Sequence, residues 1–435
     1  MRNEIRSSPM SNVMQFAADA KDASRRLAVL SASVKDEALE NIALRLTENK
    51  ERIFEANRKD LQQAQIDNLE KTLFKRLKYD ETKLSDSVAG IRSLRSLSDP
   101  LGKTLMHTTL DDGLELYRVT VPIGVIGVIF ESRPDALVQI ASLCLKSGNA
   151  VLLKGGREAI NTNKVLSEII YNAGIEKGLP EGWLSLLTSR EDVGAMLTMD
   201  KFIDLIIPRG SNAFVQYIMQ NTNITVMGHA DGVCHTYIDK DADPEMAVKV
   251  AIDAKTQYVS VCNTTETILV HKDLLDSFVP VLMDALKEKG VTVYGDDILS
   301  DKYGLEKVTE WHHEYLDYKV SMKVVADVYE AVDHINRYGS GHSDCIITGN
   351  RETAEIFMNG VDSGSVMWNC STRFADGFRY GFGAEVGVST SKLHARGPVG
   401  LEGLVTYKYK LMGSGDIVAD YADKTKTFKH IRREV

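Results

Sequence analysis

From Val121 onward the apolar positions come in short continuous runs, each followed by a turn and an amphipathic stretch. Val125-Ile126-Gly127-Val128-Ile129-Phe130 is apolar throughout, the pattern of a strand buried on both faces. A helix follows over Asp135 to Lys146, with Leu137, Ile140, Ala141 and Cys144 inward and Gly148 just past its end. Ala150 to Lys154 reads as a strand, Gly155-Gly156 as a turn and Glu158 to Ala173 as a helix. Further strands are predicted at Leu184 to Leu187, Phe202 to Ile207 and Ile224 to Met227, with a helix over Ser211 to Gln220. Repeated strand-helix units predict a parallel, doubly wound sheet, which takes ligands beyond the carboxyl ends of its strands.

The alternation restarts after Gly232. Strands are expected at Thr236 to Asp239, Thr265 to His271, Val291 to Tyr294, His342 to Thr348 and Gly364 to Trp368. Helices are expected over Asp243 to Lys255, Asp273 to Lys289 and Glu352 to Met358. Upstream, Met14 to Leu30, Ser33 to Gln65 (one helix or two) and Asp80 to Leu97 have helical spacing, and Asp99-Pro100-Leu101-Gly102 closes that region. Between the two patterns, Thr108 to Val119 reads as a hairpin with an Asp-Gly turn. Val405 to Leu411 alternates like an exposed strand and is a natural partner for it. The fold class is α/β, with two doubly wound parallel-sheet domains and a small β arm.

Composition narrows the function. A chain of 435 residues is long for one core, and 43% hydrophobic with 26% charged residues is ordinary for a soluble globular protein. A net charge of −9 without a basic face argues against nucleic acid. No apolar run has the length of a membrane span, and the N-terminus has no apolar leader segment. Cys144, Cys234, Cys262, Cys345 and Cys370 are odd in number and widely spaced, with no CxxC pair, which implies neither disulfides nor a metal and fits a reducing cytoplasm.

The candidate chemistry lies in loops. Tyr258-Val259-Ser260-Val261-Cys262-Asn263-Thr264 sets one cysteine among small and polar residues between a helix and a strand. Such a thiol becomes a nucleophile where backbone N–H groups or a cation favour its thiolate. There is no GxGxxG and no P-loop. The candidate phosphate turns are Lys154-Gly155-Gly156-Arg157-Glu158 and Pro208-Arg209-Gly210-Ser211, each where a strand meets a helix N-terminus. Gly228-His229-Ala230-Asp231-Gly232 is a polar loop between the two sheets, a natural place for a site.

Six motifs in order carry a resemblance: Val121-Pro122-Ile123-Gly124-Val125-Ile126-Gly127, Glu131-Ser132-Arg133-Pro134, Lys154 to Glu158, Gly228 to His235, Cys262-Asn263, and His394-Ala395-Arg396-Gly397-Pro398. Together, over about residues 10 to 425, they resemble the gamma-glutamyl phosphate reductase family, a divergent branch of the aldehyde dehydrogenase superfamily. The resemblance implies reduction of L-glutamyl 5-phosphate by NADPH in proline biosynthesis, with phosphate released. It implies Cys262 as nucleophile and sets Ser132 where relatives carry an oxyanion-binding asparagine; Asn263 is the other oxyanion candidate, and His229 is a candidate to protonate or bind the departing phosphate. Lys154, Gly155, Arg157, Arg209, Gly210, Ser211 and Glu385 would hold NADP. Arg133, Asn369 and Arg396 would face the substrate.

His229 stands where aldehyde-oxidising relatives carry a glutamate base, and Tyr258-Val259 where many members of the branch have Arg-Pro. The missing arginine requires another cation for phosphate, with Arg209 or Arg396 as candidates. The implied domains are 1–104 with 122–229 for the cofactor, 230–400 for catalysis, and 105–121 with 401–435 for oligomerisation. A homo-oligomer (dimer or tetramer), with strands exchanged across a dimer, and a separate glutamate 5-kinase supplying the substrate are expected. The alternatives are NAD(P)-dependent oxidation of a small aldehyde, or a non-catalytic binding protein.

Overall fold

The computed structural model describes residues 9–131, 133–189, 191–229 and 231–435. Two parallel sheets and one antiparallel arm organise it, as the pattern of apolar runs predicts. The first sheet has four strands in the order Leu184–Leu187, Ala150–Gly155, Val125–Phe130, Leu205–Arg209, every pair parallel. All six residues of Val125–Phe130 are buried, which is why that run carries no polar position. Successive strands step outward from Val125–Phe130 on one side, and the fourth is added on the other. The sheet therefore has a topological switch point beside Phe130 and its register partner Arg209.

The second sheet has seven strands, also parallel, in the order Glu306–Lys307, Thr292–Gly295, Lys319–Val325, Thr265–His271, Cys234–Ile238, Ser343–Ile347, Ser365–Trp368. N-terminal helices Pro9–Leu27, Ala32–Glu48, Lys50–Ile66 and Glu81–Ser96 pack on the first unit. Ala384, Val386, Val399, Leu401 and Leu404 return to the same hydrophobic core, so the chain after the second sheet leans back on the first.

Two sequence expectations change, and one strand was not expected. The helix expected over Asp273 to Lys289 is a 3₁₀ turn, Lys272–Leu274, and then a helix, Val279–Glu288. Pro280 lacks an N–H and is accommodated in the first helical turn, so the helix begins there rather than passing through it. The strand expected at Ile224 to Met227 is a single parallel bridge, Ile206 to Val226. Lys319–Val325 is a central strand that the apolar pattern missed, because Lys319, Ser321 and Lys323 interrupt its apolar residues.

The arm joins Thr104–Asp111 and Leu114–Pro122 through the Asp112-Gly113 turn. Val405–Met412 pairs with Leu114–Pro122 along eight register positions, and Ile431–Arg433 adds to the other side. Both pairings are made within one chain. No described helix is long and apolar enough to cross a membrane.

Candidate active site

The site lies where the carboxyl ends of the first sheet face the amino ends of strands in the second. The helix Pro244–Thr256 ends, the chain turns through Gln257 to Thr264, and strand Thr265–His271 begins. Cys262 stands in this turn, half-buried. Thr264 holds the turn closed, donating its Oγ1 to the Tyr258 carbonyl (2.8 Å) and its N–H to Val261 (3.1 Å). Thr372 Oγ1 donates to the Asn263 carbonyl at 2.7 Å.

A second segment presses on the loop from the side. Gly232 lies so close that a Cβ there would overlap the Cys262 carbonyl oxygen and Cα. The Cys234 thiol donates to the same Cys262 carbonyl at 3.1 Å. Glu314 ties this contact to the first unit, accepting from Gly232 N–H (3.0 Å) and from Asn212 Nδ2 (2.9 Å).

Two imidazoles complete the surroundings. One ligand-capable atom each from His229, His342 and Cys262 lies within 4.8 Å of the other two. The His229 and His342 rings meet edge to face, 5.0 Å between centroids. His229 Nδ1 is hydrogen-bonded to the Val388 carbonyl at 2.9 Å, and His342 Nδ1 to Ser343 Oγ at 2.8 Å. His342 is 1% exposed, and its Nε2 is buried without a partner. Nothing in the sequence singles out His342. It lies 80 residues from Cys262, and only the adjacency of strands Cys234–Ile238 and Ser343–Ile347 brings it there.

Arg373 is the other residue the sequence did not reveal. Its guanidinium is held by Gln257 Oε1 at 3.0 Å and lies within electrostatic reach of Cys262. Burial pushes its pKa down and the nearby Arg379 adds to this, while Cys262 acts in the opposite direction. Burial also pushes up the thiols of Cys144, Cys234, Cys345 and Cys370, which keeps them protonated.

The remaining expected residues divide. Asn263 is 5% exposed and spends an amide N–H on the Ala375 carbonyl at 2.9 Å. That bond ties the Cys262 loop to the segment carrying Ala375. Asn369 is likewise committed, its side chain bonding Thr348 N–H (2.9 Å) and Thr348 carbonyl (3.0 Å). Arg396 pairs with Asp362 at 2.9 Å and lines a cavity of about 570 Å³ with Leu97, Tyr380, Phe382 and Glu402, a lining that does not include Cys262. Ser132 lies outside the described residues.

Arg133 and Arg209 gather at the switch point. Burial lowers the Arg133 pKa first, and Arg209 and Arg76 lower it further, so three guanidinium groups share one neighbourhood. Glu385 accepts from Gly377 N–H at 2.8 Å and is pushed up by burial, with Arg209 and His229 among the groups pulling it down. Lys154 is 7% exposed and bonds the Gly155 carbonyl at 2.6 Å, and Arg157 is exposed beside it.

These residues fit a dinucleotide. A Cβ on Gly155 would run into Asn163, which is 1% exposed with both amide atoms unpartnered. Ser211 starts the helix Asn212–Gln220 without a side-chain cap, which leaves its first N–H groups for an anion. Arg209 and Gly210 immediately precede it.

Comparison with known proteins identifies the family. The sequence model of the aldehyde dehydrogenase family matches residues 3–298. The gamma-glutamyl phosphate reductase of Acetivibrio thermocellus is 60% identical over 421 residues, 96% of this chain and 98% of that one. The crystal structure of gamma-glutamyl phosphate reductase from Thermotoga maritima superposes with a TM-score of 0.91 at 37% identity, over 93% of this chain and 99% of that one. An acetylating aldehyde dehydrogenase from Geobacillus thermoglucosidasius shares the fold (TM-score 0.65, 16% identity, 94% and 98% covered). A family model matched over residues 3–298 and relatives 60% and 37% identical along nearly the whole chain show that this chain belongs to the aldehyde dehydrogenase family, in its gamma-glutamyl phosphate reductase branch.

Proposed function

We propose that this protein reduces L-glutamyl 5-phosphate to L-glutamate 5-semialdehyde, releasing phosphate, as a step in proline biosynthesis. The observation that carries the reading is Cys262 beside His229 and His342, within electrostatic reach of the Arg373 guanidinium. Such a group suits a nucleophile whose leaving group is an anion.

The Cys262 sulfur attacks the acyl carbon, its proton passing to an adjacent imidazole. The carbon–oxygen bond to phosphate breaks, and a thioester on Cys262 remains. Arg373 receives the departing phosphate, the role that the missing arginine before Cys262 leaves open. Preorganised charge of this kind is worth roughly 3 kcal/mol at the transition state. A bound reduced nicotinamide supplies the hydride that takes the acyl group to the aldehyde level. Cys262 then leaves as thiolate, and an imidazole returns the proton.

NADPH is the donor we favour, with the 2′-phosphate beside Lys154 and the exposed Arg157. The supply of a labile acyl phosphate calls for a separate kinase acting on glutamate. Five free cysteines suit a reducing cytoplasm. The strand Val405–Met412 is an edge strand whose Tyr407, Tyr409 and Leu411 are about half exposed, which suits burial against a second copy.

The test is phosphate-dependent reduction of NADP by glutamate 5-semialdehyde. The wild type catalyses it and Cys262→Ala does not. Retained activity in that variant refutes the mechanism, and equal turnover without phosphate favours aldehyde oxidation instead.

A further inference from the structure

The cysteine spacing implied no metal, yet the fold assembles three ligand types that metals prefer. We infer that His229, Cys262 and His342 form a binding site for a borderline-soft divalent cation of the zinc class, which blocks the nucleophile reversibly. The inference does not depend on which reaction Cys262 performs.

Three features support it. The ligand atoms of the three residues already lie within 4.8 Å of one another. A tetrahedral zinc site with sulfur and two nitrogens needs about 3.3–3.7 Å between ligand atoms, so closure by roughly 1 Å suffices. Both imidazoles also make the outer hydrogen bond that metal-ligating histidines make. Each bonds through Nδ1 to an oxygen, His229 to the Val388 carbonyl and His342 to Ser343 Oγ, which leaves Nε2 for a cation. Finally, His342 Nε2 is buried with no partner, a group whose desolvation a ligand would offset.

Binding is written simply. The Cys262 thiol loses its proton to solvent, the sulfur and two neutral imidazoles bind the cation, and the fourth position stays open to water or an anion. Nothing is oxidised or reduced. While the cation is bound, the sulfur lone pair is engaged and Cys262 attacks nothing.

The experiment titrates the metal-free full chain with Co²⁺ as spectroscopic probe and with Zn²⁺ by calorimetry. The expected result is a thiolate-to-cobalt charge-transfer band, with one ion per chain. The band should be absent in Cys262→Ser, and Zn²⁺ affinity should fall at least about tenfold in His342→Ala and in His229→Ala. In the wild type, Zn²⁺ should slow iodoacetamide labelling of Cys262, a readout that needs no variant to fold. An absent band, a band that survives in Cys262→Ser, unchanged affinity in His342→Ala, or unprotected labelling would each overturn the inference.

Discussion

Lys255 and Glu266 form an ion pair 2.6 Å long with both side chains fully buried, and the loop carrying Cys262 is the chain between them. Lys255 lies near the end of one helix and Glu266 is the second residue of the next strand, so the pair closes the loop at its base. Burial pushes the Glu266 carboxyl up and the Lys255 ammonium down, and each partner's charge resists the shift of the other. Removing one partner leaves an uncompensated buried charge. Lys255→Met or Glu266→Leu alone should therefore destabilise the chain by about 3–5 kcal/mol, while the double variant recovers most of this. Guanidinium unfolding of all four proteins checks the cycle. Faster iodoacetamide labelling of Cys262 in the single variants would show that the loop has loosened.

Gly232→Ala tests the contact beneath the nucleophile. The added methyl meets backbone atoms of Cys262, which no rotamer change relieves. A loss of about 1–3 kcal/mol in stability is expected. Displacement of the sulfur by about an ångström should lower turnover by about 100-fold. Thermal melting and kcat measured on the same preparation separate the two effects. Normal turnover would mean that the loop tolerates a shift.

Arg373→Ala should lower kcat/KM for the acyl phosphate by about 100- to 1,000-fold, with Arg373→Lys in between. Binding of NADPH, followed by its fluorescence, should be unchanged. If kcat/KM is instead normal and Arg209→Ala carries the loss, the phosphate lies at the switch point.

His334 makes the fold acid-sensitive. It is 4% exposed, neither ring nitrogen has a partner, and His235 and Trp311 meet it edge to face. Burial lowers its pKa to about 3, with His235 and Lys323 adding to the effect. In the unfolded chain a histidine titrates near 6.5. Between these values the unfolded chain holds a proton that the folded chain does not. Stability from this group is thus complete above about pH 6.5 and is lost as pH falls toward 3. Replacing His334 with Phe should flatten the stability–pH curve over that window by on the order of 3 kcal/mol. Urea midpoints measured from pH 7 to pH 4 decide it, and parallel curves would assign the acid sensitivity to other groups.

Tyr409→Glu with Leu411→Glu should reduce the mass found by sedimentation, because both residues lie on the exposed edge strand of the arm. An unchanged mass would direct the search for the interface elsewhere on the molecule.

Local residue pattern specifies the layered architecture, the hairpin arm and its partner strand, and the loop containing Cys262. Each of these is written locally: a fully apolar run such as Val125–Phe130 has one stable use, and an Asp-Gly turn between alternating runs has one as well. What interrupted that pattern was lost, as with Lys319–Val325, where polar residues alternate in a central strand, and at Pro280, where a missing N–H moved the helix start. The surroundings of Cys262 arise from long-range packing. His342 and Arg373 are separated from it by 80 and 111 residues, and parallel strand order, not spacing, carries them to the loop. For the same reason Asn263, adjacent in sequence, is turned into the packing, and Asn369 and Arg396 are engaged by Thr348 and Asp362. A side chain's chemistry is legible in one dimension. Its partners are chosen by the packing of elements that the chain brings together only once folded.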